Sequence, residues 1–458
     1  MPNVSTDERA IAHVVSRAVE NVFPSPEALT EKLKQGKPIT IYLGVDPTGP
    51  TLHLGTGIVL RKLAELQRLG HHIILLIGDF TAMIGDPTDK LAARVKQTRE
   101  EVLTNCKAYK AQAGRILSFE GENPAEMRFN SDWLAKMSFE DVVELASHFT
   151  VQQMLERDMF RRRMSWRSAC PFCGNENYRG SEQQDMASDD RGGRILLSSL
   201  TDEPWTCKKC KKEYTPESAD DIHSPRPVYL HEFLYPLMQG YDSVAMDVDM
   251  EIGGNDQMFN MLAGRTLLRE MKQKEKFVMT LQLLTDPTGK KMGKSEGNMI
   301  TLDDTPENMY GKVMSWTDGM IIPGFTLCTD VRDEQIEDMR VRMERGENPM
   351  EFKRRLAREV VVTFLDHDAA QRAEQHFTTV HQKHETPDKV PELRVDGTIK
   401  LVDALVSSEI VSSKSEARRQ VEQGAVRVDE NVITDVNADV APGMLIQKGK
   451  RFFVKIVS

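Results

Sequence analysis

Ile41-Tyr42-Leu43-Gly44-Val45, then Asp46-Pro47-Thr48-Gly49-Pro50, then His53-Leu54-Gly55-Thr56-Gly57 make up the stretch whose reading decides the fold. The first five residues are a short apolar run with the composition of a buried strand, and the next five are turn chemistry. From Leu54 to Leu69 apolar residues recur at helical spacing through Leu60, Leu63 and Leu66, until Gly70 ends the helix. His71-His72 lead into Ile73-Ile74-Leu75-Leu76-Ile77, an unbroken apolar strand of the kind that lies inside a parallel sheet. Strand, helix and strand make one βαβ unit and predict an α/β protein. A helix that starts just after a strand presents unpaired backbone N–H groups and a positive dipole end. Gly55 and Gly57 let a phosphate or an adenine approach that backbone closely, and His53 supplies a hydrogen-bond donor.

More than half the chain away, Lys290, Lys291 and Lys294 surround Gly289 and Gly293, with Pro287 before and Gly297 after. A mobile cationic loop suits a reaction whose transition state spreads negative charge over pyrophosphate, because a lysine positioned only then stabilises the transition state more than the ground state. Together, His53-Leu54-Gly55-Thr56 and Lys291-Met292-Gly293-Lys294-Ser295 resemble the HIGH and KMSKS signatures of class I aminoacyl-tRNA synthetases. Thr56 stands where the first signature has a second His, and Gly293 where the second has its first Ser. Neither departure deletes a lysine.

At 458 residues the chain is too long for one core, and its 40% hydrophobic content is that of a soluble globular protein. The longest apolar run is too short to cross a bilayer, and Met1 to Arg9 carries charges without the apolar segment of a secretory signal. These features point to a cytoplasmic protein with no membrane partner. The net charge of −10 leaves any RNA contact to local cationic patches.

Four of the six cysteines fall as Cys170-Pro-Phe-Cys173 and Cys207-Lys-Lys-Cys210, two pairs with the knuckle spacing of a tetrahedral site made of four thiolates. Structural Zn2+ is the expectation, with a redox pair or disulfides as the alternative. The stretch between the pairs is rich in Asp, Gly and Ser and has little core-forming periodicity, so metal binding would supply much of its folding energy. Cys106 and Cys328 read as inert packing residues.

The remaining organisation follows composition. Ser25 to Lys34 reads as a short amphipathic helix and Met137 to Met164 as charged amphipathic helices. Val244 to Met250 alternates like a strand and runs into Glu251-Ile252-Gly253-Gly254-Asn255-Asp256-Gln257. Past about Leu302 the chain becomes helical and highly charged up to about His384, and Pro387, Pro391 and Gly397 mark a linker. Ser412-Ser413-Lys414 opens a Ser-capped helix carrying Arg418 and Arg419, followed by the strand-like Val426-Arg427-Val428 and a closing strand from Lys450 to Val457. This module resembles the S-four RNA-binding domain. From Lys400 onward it holds nine Lys or Arg against eight Asp or Glu, a net +1 beside about −11 for everything before it. Lys414, Arg418 and Arg419 are its candidate phosphate contacts.

Across most of the chain the runs Tyr42-x-Gly44-x-Asp46-Pro47-Thr48, Ile84-Gly85-Asp86-Pro87, Asn130-Ser131-Asp132-Trp133, Tyr235-x-x-x-Gln239-x-x-Asp242 and Gly253 to Gln257 resemble the tyrosyl-tRNA synthetase pattern in its order. Chemically, a buried phenol hydroxyl needs an acceptor and a donor, and leaving either unpaired costs about 1–3 kcal/mol. The resemblance implies that Asp242 accepts from the substrate hydroxyl while Tyr42 meets it from the other side. It assigns the substrate ammonium to Asp86, Tyr235 and Gln239 and the carboxylate region to Gln257. The ATP site falls to Asp46, Thr48, His53 and Gly55 at the phosphates and to Gly254 and Asp256 at the ribose. Lys291 and Lys294 take the departing pyrophosphate, so that His53, Thr48, Lys291 and Lys294 form the catalytic set. Tyr235, Gln239 and Asp242 lie within two helical turns, so one helix face can present all three to a pocket.

The expectation is therefore a class I synthetase with four parts. Residues 1–301 form a Rossmann-like parallel-sheet catalytic domain with a zinc-knuckle insertion at about 166–223. Residues 302–385 form a helical anticodon-side domain, 386–397 a linker and 398–458 a small S-four-like RNA-binding domain. The implied reaction joins L-tyrosine to tRNA(Tyr) through tyrosyl-adenylate, with ATP as substrate, Mg2+ bound through the phosphates, and a homodimer as the working form. Two rivals stay open. A tryptophan-specific relative lacks a substrate hydroxyl for Tyr42 and Asp242, and a non-catalytic RNA-binding paralogue has no use for both phosphate motifs.

Overall fold

The computed structural model describes residues 4–86, 97–155, 157, 160, 166–169, 176–179, 205–207, 209–214, 222–223, 228–286, 299–382, 390–395, 397–408, 410–411, 413–429, 431–449 and 452–457. The chain divides into two compact units, Met1–Asp304 with Trp316–Pro349, and Thr305–Ser315 with Met350–Ser458.

The first unit is built on a mixed, mostly parallel sheet of six strands: β1 (Val19–Phe23), β2 (Thr40–Val45), β3 (His72–Ile77), β4 (Glu126–Phe129), β5 (Met250–Gly254) and β6 (Phe277–Leu281). Their order is β1-β6-β5-β2-β3-β4, with only β1 antiparallel to its neighbour. The opening sequence stretch forms β2 and β3, joined by helix α1 (Leu54–Arg68) and paired from Ile41↔Ile73 to Val45↔Ile77. Every side chain from Ile73 to Ile77 is buried, because a parallel sheet is covered on both faces. From β2 the chain moves on to β3 at one side, and from β5 to β6 at the other. The carboxyl ends of β2 and β5 therefore flank a crevice at the point where strand order reverses.

Helices α2 (Leu230–Met246) and α3 (Met258–Lys272) flank β5 in sequence. The strand expected from Val244 begins only at Met250. Helix α2 continues to Met246 and ends on Asp247 in a left-handed conformation, φ 51°. Val244, Met246, Val248 and Met250 are all buried, so a last helical turn followed by a strand meets the same apolar alternation as one long strand.

The helical span expected at 302–385 is shared between the two units. Helices Ile321–Cys328 and Asp333–Glu344 belong with the first. The physical reason is Arg17, whose buried guanidinium donates to the carbonyls of Phe325, Thr326, Thr329 and Val331 at 2.6–3.2 Å and so satisfies a helix C-terminus with a cation. Within the second unit, helices Pro306–Met314 and His367–Gln382 pack together through the rings of Tyr310 and Phe377, 5.3 Å apart.

The C-terminal end of the second unit carries a five-stranded sheet: β7 (Glu392–Arg394), β8 (Val426–Val428), β9 (Asn431–Val432), β10 (Leu445–Lys448) and β11 (Phe452–Val457), in the order β7-β11-β10-β8-β9. Helix α4 (Lys414–Glu422) is capped by Ser413, which accepts the Glu416 amide. Helix Leu401–Ser407, α4 and the sheet share one core around Leu405, Ala417, Val421, Val426 and Ile446. Strand β7 lies inside the stretch expected as a linker. Its Glu-Leu-Arg triplet has no strand signature of its own, and β11 supplies the pairing, Glu392↔Lys455 to Arg394↔Val457.

In the insertion, Trp166–Ala169 pairs antiparallel with Glu176–Arg179 and with Ile222–His223, and Trp205–Thr206 pairs with Glu213–Tyr214. No helix among the described residues is long and apolar enough to cross a membrane.

Candidate active site

His53 is the N-cap of α1, and its Nδ1 accepts the Thr56 amide at 3.2 Å. A neutral imidazole that accepts at Nδ1 carries its proton on Nε2, so the ring presents a donor outward. Gly55 and Thr56 form the first turn, and Thr56 contributes through its backbone. The residues around His53 are tied to the chain just past the far motif, at Ile300 to Leu302. The amide of Leu54 donates to the carbonyl of Ile300 and that of Leu302 to Leu52, both at 2.8 Å, with His53 opposite Thr301 in an antiparallel bridge. Lys291 and Lys294 lie outside the described residues, but the chain that follows them is stitched to the start of α1.

At the carboxyl end of β2, Asp46 Oδ2 accepts the Tyr235 hydroxyl at 2.8 Å and Oδ1 accepts the Thr81 hydroxyl at 2.8 Å. The Thr48 amide donates to the Asp46 carbonyl at 2.8 Å and closes the turn. Gly78, just past β3, makes this possible, since a Cβ there would lie 1.9 Å from Asp46 Oδ1. Asp46, expected at the ATP phosphates, and Tyr235, expected at the substrate ammonium, are thus joined directly.

The other polar residues form one chain of contacts. Asp86 Oδ2 accepts Gln257 Nε2 at 2.8 Å, Gln257 Oε1 accepts Asn260 Nδ2 at 3.0 Å, and the same Asn260 amide donates to Gln239 Oε1 at 2.8 Å. Gln239 Nε2 then donates to Glu251 Oε1 at 3.2 Å. Gly254 closes β5, and Asp256 lies in the 3-10 turn Asn255–Gln257 that follows.

Tyr235, Gln239 and Asp242 all lie on α2, as their spacing predicts. Asp242 is 3% exposed, with Oδ1 accepting Trp133 Nε1 at 2.7 Å and Oδ2 accepting Asn130 Nδ2 at 3.3 Å. Burial drives its carboxyl well above the usual range, and the two N–H donors oppose that. Each oxygen still has a lone pair for a further donor. Tyr42 is fully buried and its hydroxyl lies 2.9 Å from Ser243 Oγ. Burial raises its phenol, as do the nearby Glu251 and Asp242 carboxylates. Lys276 donates to Ser243 Oγ at 2.7 Å and stands against Glu251. Gly264 makes room for it, because a Cβ there would lie 2.6 Å from Lys276 Nζ.

Sequence reading assigned no role to Thr81, Asn130, Trp133, Arg157, Ser243, Glu251 or Lys276. Asn130 and Trp133 stand in a run that resembles the family pattern, and Glu251 leaves a further signal, a lone acid between Met250 and Ile252 in an otherwise apolar strand.

Outside the crevice, Cys207 is buried and its Sγ accepts the Cys210 amide at 3.4 Å. Lys211, with φ 62°, turns the chain back, and its amide donates to the Cys207 carbonyl at 2.9 Å. Cys170 and Cys173 lie outside the described residues. On α4, Lys414, Arg418 and Arg419 are exposed while Ala417 and Val421 face the core. Lys414 pairs with Asp403 at 2.7 Å.

Residues 34–172 and 209–382 match the family model of class I tRNA synthetases (W and Y), and 382–455 match the tyrosine–tRNA ligase SYY-like C-terminal domain. The chain therefore belongs to the class I tRNA synthetases of the tryptophan and tyrosine group. It is 38% identical to the tyrosine–tRNA ligase of Carboxydothermus hydrogenoformans over 97% of each chain, and 40% identical to that of Thermotoga maritima over 94% of each. Identity at that level over the whole length sets it among the tyrosine–tRNA ligases. The fold is shared with the tyrosyl-tRNA synthetase of Archaeoglobus fulgidus, solved with L-tyrosine (TM-score 0.54, 20% identity, 80% of this chain and 100% of that one). It is shared too with the truncated mitochondrial enzyme of Aspergillus nidulans (TM-score 0.56, 18% identity, 82% of this chain and 94% of that one).

Proposed function

We propose that this chain activates L-tyrosine with ATP and transfers the tyrosyl group to the 3′ end of tRNA(Tyr), using the crevice between β2 and β5. The observation that carries the substrate choice is Asp242, a buried carboxylate held by Trp133 and Asn130 with acceptor capacity left over. A phenol O–H satisfies that capacity, and an indole or a phenyl ring leaves it unmet. Tyr42 forms the other wall, its hydroxyl engaged with Ser243. Asp86, Tyr235 and Gln239 face the ammonium, and Gln257 the carboxylate region. Asp46, Thr48, His53 and Gly55 take the ATP phosphates, and Gly254 and Asp256 the ribose.

In the first step a tyrosine carboxylate oxygen attacks the α-phosphorus, a P–O bond forms, and the bond to pyrophosphate breaks. A carboxylate is already a nucleophile at neutral pH, so no general base is required. His53 through Nε2–H, together with Lys291 and Lys294, stabilises charge moving onto the leaving group. Mg2+, bound through the phosphates, supplies further charge neutralisation. In the second step a hydroxyl of the terminal ribose attacks the acyl carbon and AMP leaves.

The N–H···S contact from Cys210 to Cys207 is the hydrogen bonding a metal thiolate accepts, so these residues fit structural Zn2+ with Cys170 and Cys173 as the other two ligands. Residues 1–301 act as the catalytic domain and the helices of 302–385 serve the anticodon side. The S-four-like module, 398–458, holds tRNA phosphates through Lys414, Arg418 and Arg419. The working form is a cytoplasmic homodimer.

Amino-acid-dependent ATP–pyrophosphate exchange tests the reading. Exchange is expected with tyrosine and not with tryptophan or phenylalanine. Exchange driven by tryptophan, or by none of the three, overturns it.

A further inference from the structure

Arg157 reaches the crevice from the segment after helix Val151–Leu155. Its side chain is 5% exposed, one nitrogen lies 3.3 Å from Asp86 Oδ1, and the guanidinium stacks against Phe160 and Phe259 at 5.7 and 5.6 Å from the ring centroids. Asp86 and Asp256 are the carboxylates that face it. Its other terminal nitrogen, Nη1, is buried with no hydrogen-bond partner among the described residues. Further along the same network, through Asp86 and Gln257, Asn260 Oδ1 is a buried acceptor in the same condition. A buried guanidinium N–H left unpaired is costly, more so than a neutral group. One orphan donor and one orphan acceptor flanking Asp86 and Gln257 therefore match a zwitterion, a ligand that brings both an anionic and a cationic end.

We infer that Arg157 binds the α-carboxylate of the amino-acid substrate, with Nη1 donating to it while the other nitrogen holds Asp86 oriented toward the ammonium. This rests on the tyrosine reading of the crevice and adds to it the group that holds the nucleophile. Phe160 and Phe259 fix the guanidinium plane. The cation also offsets the repulsion that Asp46, Asp86 and Asp256 would exert on an incoming carboxylate.

The test is a ligand-truncation cycle. L-Tyrosine and tyramine, which lacks the carboxylate, are titrated against the parent chain, Arg157→Ala and Arg157→Lys at equilibrium, with thermal melting to verify folding. Arg157→Ala should weaken tyrosine about 10- to 100-fold, the range for a charged hydrogen bond, and change tyramine less than about twofold. Arg157→Lys, which keeps the charge beside Asp86, should fall between and supplies the measurement if the Ala variant does not fold. Equal losses for the two ligands, or tighter binding of both, overturn the assignment, since Arg157 would then serve only to neutralise Asp86. If the parent binds neither ligand, the tyrosine reading itself fails and the assignment falls with it.

Discussion

Lys276 Nζ lies 2.5 Å from Glu251 Oε2, with the two side chains 0% and 2% exposed. The pair sits beside Tyr42, with Lys276 Nζ 5.8 Å from the centre of its ring. Glu251 is opposite Tyr42 in the β5–β2 register, and Lys276 directly precedes β6. Burial lowers the Lys276 ammonium, and Glu251 counters it. A pair so enclosed positions its neighbours, since the Ser243 hydroxyl that meets Tyr42 takes its donor from Lys276.

Breaking this pair leaves a buried charge alone. Lys276→Met is expected to destabilise the first unit by about 3–5 kcal/mol, and the double change Lys276→Met with Glu251→Leu to recover most of that loss. Denaturant midpoints of the two variants check this. A double variant no better than the single one would show that the ion pair is not the source.

Asp242→Asn removes the charged acceptor and turns an amide N–H₂ toward either Trp133 or Asn130, which are themselves donors. Tyrosine affinity should fall about 10- to 100-fold while ATP affinity stays near the parent value. Equilibrium binding of each substrate separates the two.

Lys294→Ala should have the opposite signature. If its ammonium meets the pyrophosphate mainly in the transition state, adenylate formation slows by at least ~100-fold with tyrosine affinity little changed. Pre-steady-state adenylate formation at the parent rate would remove Lys294 from the mechanism.

His71 gives the first unit an acid sensitivity. It is fully buried, its Nδ1 accepts the Ile39 amide at 3.5 Å, and burial pushes it down from 6.5 to about 4. Above pH 6.5 the ring is neutral folded or unfolded and contributes no pH dependence. Between 6.5 and 4 only the unfolded chain takes the proton, so stability falls as pH drops, by roughly 3 kcal/mol in all, and levels off below 4. His71→Leu should remove that part of the loss, and unfolding midpoints across this window measure it.

The purified chain should contain one zinc per molecule, and Cys207→Ser should lower both zinc content and protease resistance of the 166–223 insertion. A metal assay that finds none in reduced, unchelated protein rules the site out.

Local pattern alone carried β2, α1 and β3, the placing of Tyr235, Gln239 and Asp242 on one helix, and the Ser413 cap of α4. Each rests on periodicity or capping within a few residues, which the chain expresses wherever one face is buried. The extent of α2, the strand in the expected linker and the division of 302–385 were decided by partners far away in sequence: β2, whose Ile41 pairs with Met250, β11 and Arg17. The union of Leu54 with Ile300, the Lys276–Glu251 pair and the reach of Arg157 to Asp86 likewise belong to the tertiary structure alone. They depend on which strands become neighbours and in what register, and side chains brought together by sheet order leave no spacing for a sequence to reveal.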